Sequence, residues 1–332
     1  MPATITSIAH FVPPDIYDNH YFESFLDTSD EWIMQRTGIK ERRFLKEGAT
    51  SDLIVPAAKR CLEKRGLSPN DIDCVIVSTV TPDHFFPITA AIVQRKLGIE
   101  KCWGFDMNAA CSSFVFALVN ACKLVESGAV KRLLLCGADK MTSVLNMNDR
   151  NQAVLFGDGG GVALIEMSDD PECGLKDFIL NIDGIGEPHL KMKAGGSAHP
   201  ATIETVTNQE HFIYQEGQAV FKAAVKGMAD VSVEIMEKNN LKSEDVRWLV
   251  PHQANLRIIK ATADRMGINE DQVKINIEKY GNTTSGTIPI CLSELSEDKQ
   301  LKKGDNIVIA SFGAGFTWGS VYLKWNSNGI LD

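Results

Sequence analysis

Residues 67–77 read LSPNDIDCVIV, and residues 241–250 read LKSEDVRWLV, so the same pattern recurs 174 residues later. In both copies a leucine is followed by a polar turn, an aspartate and an apolar run that predicts a strand. A stretch with helical character precedes each copy, at residues 51–65 and 216–239. This repetition of a helix, a turn and a strand predicts that the chain is internally duplicated.

The correspondence continues downstream of the two copies. Residues 97–99 (LGI) match residues 266–268 (MGI) at an offset of 169, and residues 131–135 match residues 305–309 at the original offset of 174. Any two helix–strand units resemble each other, so one match alone would mean little. Several matches in the same order favour duplication, and hence an α/β fold in which each half has a mixed sheet covered by helices.

A polar, acidic stretch at residues 168–171 follows the predicted strand 162–166 and marks the boundary between the halves. We therefore divide the chain into an N-terminal half, residues 1–170, and a C-terminal half, residues 171–332. Facing loops of two such halves can build one site between them. Functional side chains are accordingly expected from both halves.

Composition excludes several classes of protein. The chain has 332 residues, ample for a buried core, and a formal net charge of −9, which argues against general nucleic-acid binding. It contains no apolar run of the length that spans a membrane, and its first residues lack the pattern of a signal peptide. The eight cysteines are scattered without a CxxC pair, so we expect no metal site and no disulfide framework, but reduced thiols in a cytoplasmic protein.

Cys111 has a setting that the other cysteines lack. It follows a predicted strand at residues 103–108, lies among the small residues AACSS (109–113), and precedes a predicted apolar helix at residues 114–122. A helix N-terminus favours the thiolate, so the sequence predicts a lowered thiol pKa and a nucleophile. An ordinary buried cysteine is the alternative.

Two glycine-rich segments, FGDGGG (156–161) and FGAGF (312–316), lie next to predicted strands. Neither has the lysine of a phosphate-binding P-loop or the helix of a dinucleotide fold. They predict close approach of the backbone to a ligand or to another segment of the chain.

His252 and Asn282 are the candidate partners of Cys111. His252 ends a predicted strand and precedes a helix, where we expect the imidazole to stay neutral and to donate a hydrogen bond. Asn282 lies in a turn of small polar residues and can donate from its side-chain amide. A capping or core histidine and an ordinary turn asparagine are the alternatives. A thiol beside two neutral donors suits a thioester-linked acyl group and a developing enolate.

With these residues in place, the chain closely resembles β-ketoacyl-acyl-carrier-protein synthase III, a condensing enzyme of the thiolase superfamily. The resemblance runs nearly end to end and is carried by DEWI (30–33), RTGI (36–39), AAC (109–111), FGDG (156–159), HQAN (252–255), GNT (281–283) and GFTWG (315–319). It implies a duplicated five-layered αβαβα sandwich, usually a homodimer. It also implies an acyltransferase that initiates fatty-acid synthesis without a cofactor, by condensing an acyl-CoA with malonyl-acyl-carrier protein.

The resemblance implies a role for each matching residue. Cys111 would carry the acyl group, and the backbone amides of Cys111 and Ala314 would form the oxyanion hole. Many family members have glycine where this chain has Ala314. His252 and Asn282 would stabilise the enolate that forms when the malonyl group loses carbon dioxide.

Further matching residues imply substrate contacts. Trp32 and Arg150 would sandwich the CoA adenine, with Arg36 near the CoA phosphates, although core packing is the alternative for Trp32. Phe86 would reach into the partner subunit's acyl pocket, and Phe312 would pack near the site.

Three basic residues match the family's docking positions for the acidic carrier protein: Lys222, Arg257 and Lys260. An ordinary solvated surface is the alternative, above all for Lys260. Ser112 and Ser113 depart from the Ala-Gly of many members. Residues 185–211 are also unusual and are expected to line or cover the acyl pocket, so the starter acyl group stays open.

Several rival functions use a similar set of residues. A papain-like cysteine hydrolase also has Cys, His and Asn in this order and at similar spacing, but this chain has no CGSCW-like run. A thiolase would have a second catalytic cysteine near the C-terminal glycine loop, and a hydroxymethylglutaryl-CoA synthase a catalytic glutamate. A secondary-metabolism relative that condenses or transfers unusual acyl groups stays the nearest alternative. A non-enzymatic chain-length factor would usually lack Cys111.

Overall fold

A computed structural model describes residues 1–326 of the chain. Its larger sheet contains five strands: β1 (Ala3–Phe11), β4 (Cys74–Ser78), β5 (Trp103–Met107), β6 (Leu133–Asp139) and β7 (Gly159–Met167). The second sheet contains four: β8 (Gly174–Ile182), β11 (Val246–Pro251), β12 (Asn306–Gly313) and β13 (Thr317–Lys324). Two short antiparallel pairs complete the strands: β2 (Ile16–Asp18) with β3 (Glu41–Arg43), and β9 (Leu190–Met192) with β10 (Ile213–Gln215).

Helices cover both sheets. In chain order they are α1 (Asn19–Glu23), α2 (Asp30–Thr37), α3 (Thr50–Arg65), α4 (Thr89–Leu97), α5 (Ser113–Glu126), α6 (Ile203–Thr207), α7 (Gly217–Lys238), α8 (Leu256–Met266), α9 (Ile277–Tyr280) and α10 (Thr287–Glu297). Helices α3, α4 and α8 each end at a glycine in the left-handed conformation, which a residue without a Cβ adopts at little cost. Within residues 1–326, no helix is long and apolar enough to cross a membrane.

The predicted duplication is confirmed by the strand order. The first sheet runs β1-β7-β6-β4-β5, and the second runs β8-β13-β12-β11. The four strands of the second sheet therefore correspond in order to β1, β7, β6 and β4. In each sheet a parallel pairing, of β4 with β6 or of β11 with β12, is followed by two antiparallel pairings. The first sheet has a further parallel pairing, of β4 with β5. The division at residues 170 and 171 falls between β7 and β8, and that each half is a separate domain stays a prediction.

Alternating side chains of the central strands build three apolar layers. Leu133 and Leu135 of β6 face the interior between the sheets, where they pack with α5, α10 and the second sheet, whereas Leu134 packs with α3 and α4. In β12, Ile307 faces the same interior and Val308 faces α7 and α8. Because both faces of these strands are buried, their sequences are nearly continuous apolar runs. The result is the expected αβαβα order of layers.

Candidate active site

Cys111 lies in a tight turn between β5 and α5. Ala110 has a φ of +51°, which is unusual for a residue with a side chain. The Ser113 hydroxyl closes this turn, since it accepts from the Ala109 backbone N–H at 2.7 Å and donates to the Ala110 carbonyl at 2.6 Å. The Ser113 side chain, two residues after Cys111, therefore stabilises the strained backbone of this turn.

The second half of the chain holds the same turn from the other side. The Ser311 hydroxyl donates to the Cys111 carbonyl at 2.9 Å, and the Thr317 hydroxyl donates to the Ala109 carbonyl at 2.8 Å. Gly313 lies so close that a Cβ added there would be 2.7 Å from the Cys111 backbone nitrogen. The segment that carries the candidate nucleophile is thus positioned by β12 and β13, as a site shared between the halves requires.

Burial controls the ionisation of Cys111. Desolvation raises the pKa of its thiol to about 12, and the nearby carboxylate of Asp139 acts in the same direction. The prediction of a lowered thiol pKa is therefore wrong. Helix α5 begins two residues later, at Ser113, so Cys111 precedes its N-cap, Ser112. The resting thiol is protonated at neutral pH, so its proton must leave as the sulfur attacks.

The raised pKa predicts how Cys111 reacts with iodoacetamide. Only the thiolate is alkylated, so the rate should rise about tenfold per pH unit between about pH 7 and 9 without a plateau. Peptide mass spectrometry of the alkylated enzyme measures this rate at Cys111 itself. A plateau near neutral pH would show that the thiolate already predominates and would contradict the assignment.

His252 lies immediately after β11 and is 1 % exposed. Burial lowers the pKa of its imidazole to about 3, so the expectation of a neutral histidine is confirmed. The cause differs from the expected one, because α8 begins only at Leu256 and is capped by Asn255. His252 Nδ1 lies 2.7 Å from the Thr287 hydroxyl oxygen, whereas Nε2 has no hydrogen-bond partner among the described residues.

Asn282 is held by backbone bonds to the first half of the chain. Its N–H donates to the Leu155 carbonyl at 2.9 Å, and its carbonyl accepts from the Gly157 N–H at 3.1 Å. The side-chain oxygen accepts from the Thr284 N–H at 2.8 Å, which leaves the side-chain NH₂ as the group available to a ligand. A Cβ at Gly157 would lie 2.4 Å from the Tyr280 carbonyl oxygen, so this glycine-rich segment serves close approach of two chain segments, as predicted.

One cavity of about 1250 Å³ brings these residues together. Its lining includes Cys111, His252, Asn282, Phe312 and Ala314. The φ of Ala314 is not positive, so the alanine is accommodated where a glycine was expected from the resemblance. A polarised thioester carbonyl can therefore reach a thiol, a neutral imidazole and a side-chain amide in one cavity.

Comparison with known proteins identifies the family. The model described as 3-oxoacyl-[acyl-carrier-protein (ACP)] synthase III matches residues 105–184, and the model of its C terminal region matches residues 236–325. A β-ketoacyl-[acyl-carrier-protein] synthase III from Chlorobium chlorochromatii is 54% identical over 328 residues, which cover 98% of this chain and 100% of the relative. This chain belongs to the 3-oxoacyl-[acyl-carrier-protein] synthase III family.

Other synthase III proteins support the assignment in sequence and in structure. The enzyme of Porphyromonas gingivalis strain W83 is 50% identical over 329 residues, covering 98% of this chain and 97% of its own. The crystal structure of the Thermus thermophilus synthase III has a TM-score of 0.90 and 39% identity, covering 98% of this chain and 99% of its own. These full-length matches do not favour the papain-like hydrolase or the secondary-metabolism relative.

The residues predicted to bind CoA line the mouth of this synthase III cavity: Trp32, Arg36 and Arg150. The Arg150 guanidinium lies 5.1 Å from the centre of the Trp32 ring, and the Arg36 guanidinium lies 5.3 Å from it. Arg150 also lies 3.5 Å from the Asp27 carboxylate. As Arg150 already contacts the indole, an adenine between them requires the guanidinium to move away.

The remaining predicted residues fall into two groups. Lys222 and Arg257 are exposed and line the cavity, and the Arg257 guanidinium lies 4.7 Å from the Phe221 ring centre. Lys260 is outside the cavity and pairs with Glu270 at 3.3 Å. Phe86 is 86% exposed and does not line the cavity of its own chain, so its predicted contact with a partner subunit stays a prediction.

Sequence reasoning missed Asp139, which ends β6 and is fully buried. One carboxylate oxygen accepts from the Thr79 hydroxyl at 2.8 Å and from the Val80 N–H at 2.7 Å, and the other accepts from the Ser285 N–H at 2.9 Å. Asp139 thus joins the loop after β4 to the turn that carries Asn282. A lone carboxylate closing the apolar run LLLCGAD was the signal for it.

The unusual segment at residues 185–211 contributes to the cavity through the β9 strand. Leu190, Lys191 and Met192 line the cavity, opposite residues of β10 that also do so. Ser112 and Ser113 are fully buried and do not line it. Ser112 donates to the Thr317 carbonyl at 3.0 Å, so both serines hold the backbone around Cys111.

Proposed function

We propose that this protein condenses an acyl-CoA starter with malonyl-acyl-carrier protein to give a β-ketoacyl-carrier protein, the step that initiates fatty-acid synthesis. The observation that carries the proposal is the convergence of Cys111, His252 and Asn282 on one cavity in a synthase III chain. The reaction requires no metal or organic cofactor, because the substrates are already activated as thioesters.

The first half-reaction transfers the acyl group to Cys111. The sulfur attacks the acyl-CoA carbonyl as the thiol gives up its proton, and the backbone amides of Cys111 and Ala314 stabilise the oxyanion. When the carbonyl reforms, the bond to the CoA sulfur breaks and the proton ends on the CoA thiol. Arg36 and Arg150, with Trp32, hold the nucleotide end of CoA at the mouth of the cavity.

The second half-reaction forms the carbon–carbon bond. The malonyl carboxylate leaves as carbon dioxide, and the electron pair becomes an enolate whose oxygen accepts hydrogen bonds from His252 Nε2 and the Asn282 amide. The enolate carbon attacks the acyl thioester, and the Cys111 sulfur leaves and takes up a proton from solvent. A neutral imidazole suits this task, because a donor that keeps its proton stabilises the enolate without quenching it.

The carrier protein docks on the basic residues at the cavity mouth, chiefly Lys222 and Arg257. Both are exposed, and their positive charge complements an acidic partner although the whole chain is acidic. Lys260 belongs to this surface as a weaker member, because Glu270 already neutralises it.

Reversal of charge at Arg257 tests this docking surface. Arg257→Glu should raise the KM for malonyl-acyl-carrier protein about tenfold and leave self-acylation from acyl-CoA within about twofold. Steady-state kinetics and intact mass measure the two half-reactions separately. Lys279→Glu is the control, since Lys279 does not line the cavity. Equal loss of both half-reactions would refute the role of Arg257.

A homodimer completes the proposal. Strand β5 pairs with β4 on one side and forms the edge of its sheet within the described residues. Apolar side chains are exposed beside it, with Trp103 at 47%, Phe85 at 82% and Phe86 at 86%. An unpaired edge flanked by aromatic residues suits a second copy of the same strand. Light scattering should give twice the 36.5 kDa mass of the chain, and a fully active monomer would contradict the proposal.

The eight free cysteines suit a reducing compartment, so we place the enzyme in the cytoplasm. The activity itself is tested by incubating the enzyme with a panel of acyl-CoAs and malonyl-acyl-carrier protein. We expect at least one starter to acylate the enzyme and give a β-ketoacyl-carrier protein. Acylation without condensation would instead indicate a transferase, and no acylation by any acyl-CoA would refute initiation.

A further inference from the structure

The Thr287 hydroxyl has one hydrogen and two neighbouring acceptors. Its oxygen lies 2.7 Å from His252 Nδ1 and 3.0 Å from the Thr284 carbonyl oxygen. Thr287 is the first residue of α10 and is 2% exposed, so water does not compete freely for this hydroxyl. The direction of this O–H bond therefore determines whether His252 Nδ1 carries a proton.

The two directions give opposite tautomers of a neutral His252. If the hydroxyl points to the Thr284 carbonyl, its oxygen accepts from a protonated Nδ1, and Nε2 presents a lone pair to the cavity. If the hydroxyl points to Nδ1, the proton is on Nε2, which can then donate. A backbone carbonyl in this position could only accept from a protonated Nδ1, whereas the Thr287 hydroxyl can also donate to a bare Nδ1.

The low pKa of His252 rules out a third arrangement at neutral pH, in which both nitrogens carry protons. Burial leaves the ring neutral, and Nε2 has no partner among the described residues. A neutral ring that donates to an enolate oxygen must therefore carry its single proton on Nε2.

We propose that Thr287 is a positioning residue that donates its hydroxyl hydrogen to His252 Nδ1 during condensation, and so keeps the proton on Nε2. The inference rests on the proposed role of His252 as a donor to the malonyl thioester. It adds that the hydrogen bond to Nδ1, rather than the ring alone, selects the tautomer that can stabilise the enolate.

Thr287→Val tests the proposal, because valine keeps the shape of the side chain and removes the hydroxyl. Loss of one hydrogen bond that selects the tautomer should slow condensation about 10- to 30-fold. Acyl transfer from acyl-CoA to Cys111 should stay within about threefold. Thr287→Ser, which keeps the hydroxyl, is the matched control and should condense at nearly the rate of the unaltered enzyme.

Nitrogen NMR of the histidine-labelled acyl-enzyme provides a readout that a merely structural role would not move. The His252 signal, assigned by its loss in His252→Ala, should show Nε2 protonated and Nδ1 bare in the unaltered enzyme. Thr287→Val should lose this preference between tautomers, while Thr287→Ser retains it.

Two results would overturn the inference and leave the proposed function standing. One is a protonated Nδ1 in the unaltered acyl-enzyme. The other is unaltered condensation by Thr287→Val when His252→Ala condenses poorly, which would leave the role of His252 intact and remove only that of Thr287. If His252→Ala itself condenses normally, the proposed function of His252 fails, and the inference fails with it.

Discussion

Cys111→Ala should abolish formation of the acyl-enzyme and lower condensation by at least about 10³-fold. The sulfur is the atom that bonds to the acyl group, and no neighbouring residue can replace it, so the loss is that of a covalent step rather than of one hydrogen bond. Intact mass spectrometry after mixing with acyl-CoA measures acylation, and product assays with malonyl-acyl-carrier protein measure condensation.

Cys102→Ala is the control for this experiment. Cys102 is half-buried like Cys111 but does not line the cavity. The Cys102→Ala variant should be acylated and should condense at the rates of the unaltered enzyme. A stable acyl adduct on Cys111→Ala would place the nucleophile elsewhere.

His252→Ala should separate the two half-reactions. Removal of one aimed donor typically costs about 10²- to 10³-fold in rate, and this loss should fall on condensation. Acyl transfer should change only a few-fold, because the oxyanion of that step is stabilised by backbone amides. Rapid-quench measurement of each half-reaction with a single turnover checks the split.

His20→Ala is the matched control, since His20 is exposed and lies outside the cavity. Equal slowing of both half-reactions by His252→Ala would mean that the imidazole also acts in acyl transfer. In that case Nε2 would be required as a proton acceptor from Cys111, and its assignment as an enolate donor would have to change.

The duplicated fold could be predicted because the two halves repeat the same short sequence patterns at nearly constant spacing. The apolar runs of β6 and β12 are buried on both faces, and the leucines and aspartates before β4 and β11 recur at one spacing. Glycines such as Gly98 and Gly267 end equivalent helices in the two halves. These features depend on neighbours in the chain, and a sequence displays them directly.

The ionisation of Cys111 could not be predicted in the same way. The helix start beside it is a local feature, whereas its desolvation and the Asp139 carboxylate come from residues far along the chain. The Thr287 contact to His252 likewise spans 35 residues and follows a turn whose path the sequence does not reveal. Burial by residues distant in the chain raises the pKa of the Cys111 thiol, whereas the local sequence predicts that this pKa is lowered.

We propose that one thiol, that of Cys111, carries the acyl group through carbon–carbon bond formation. The most direct measurement is a chase of purified acyl-enzyme, freed of CoA, with malonyl-acyl-carrier protein, followed by intact mass of both proteins. We expect the acyl mass to leave Cys111 while equal amounts of β-ketoacyl-carrier protein and carbon dioxide form. Persistence of the acyl-enzyme, or its hydrolysis to the free acid without a condensed product, would contradict it.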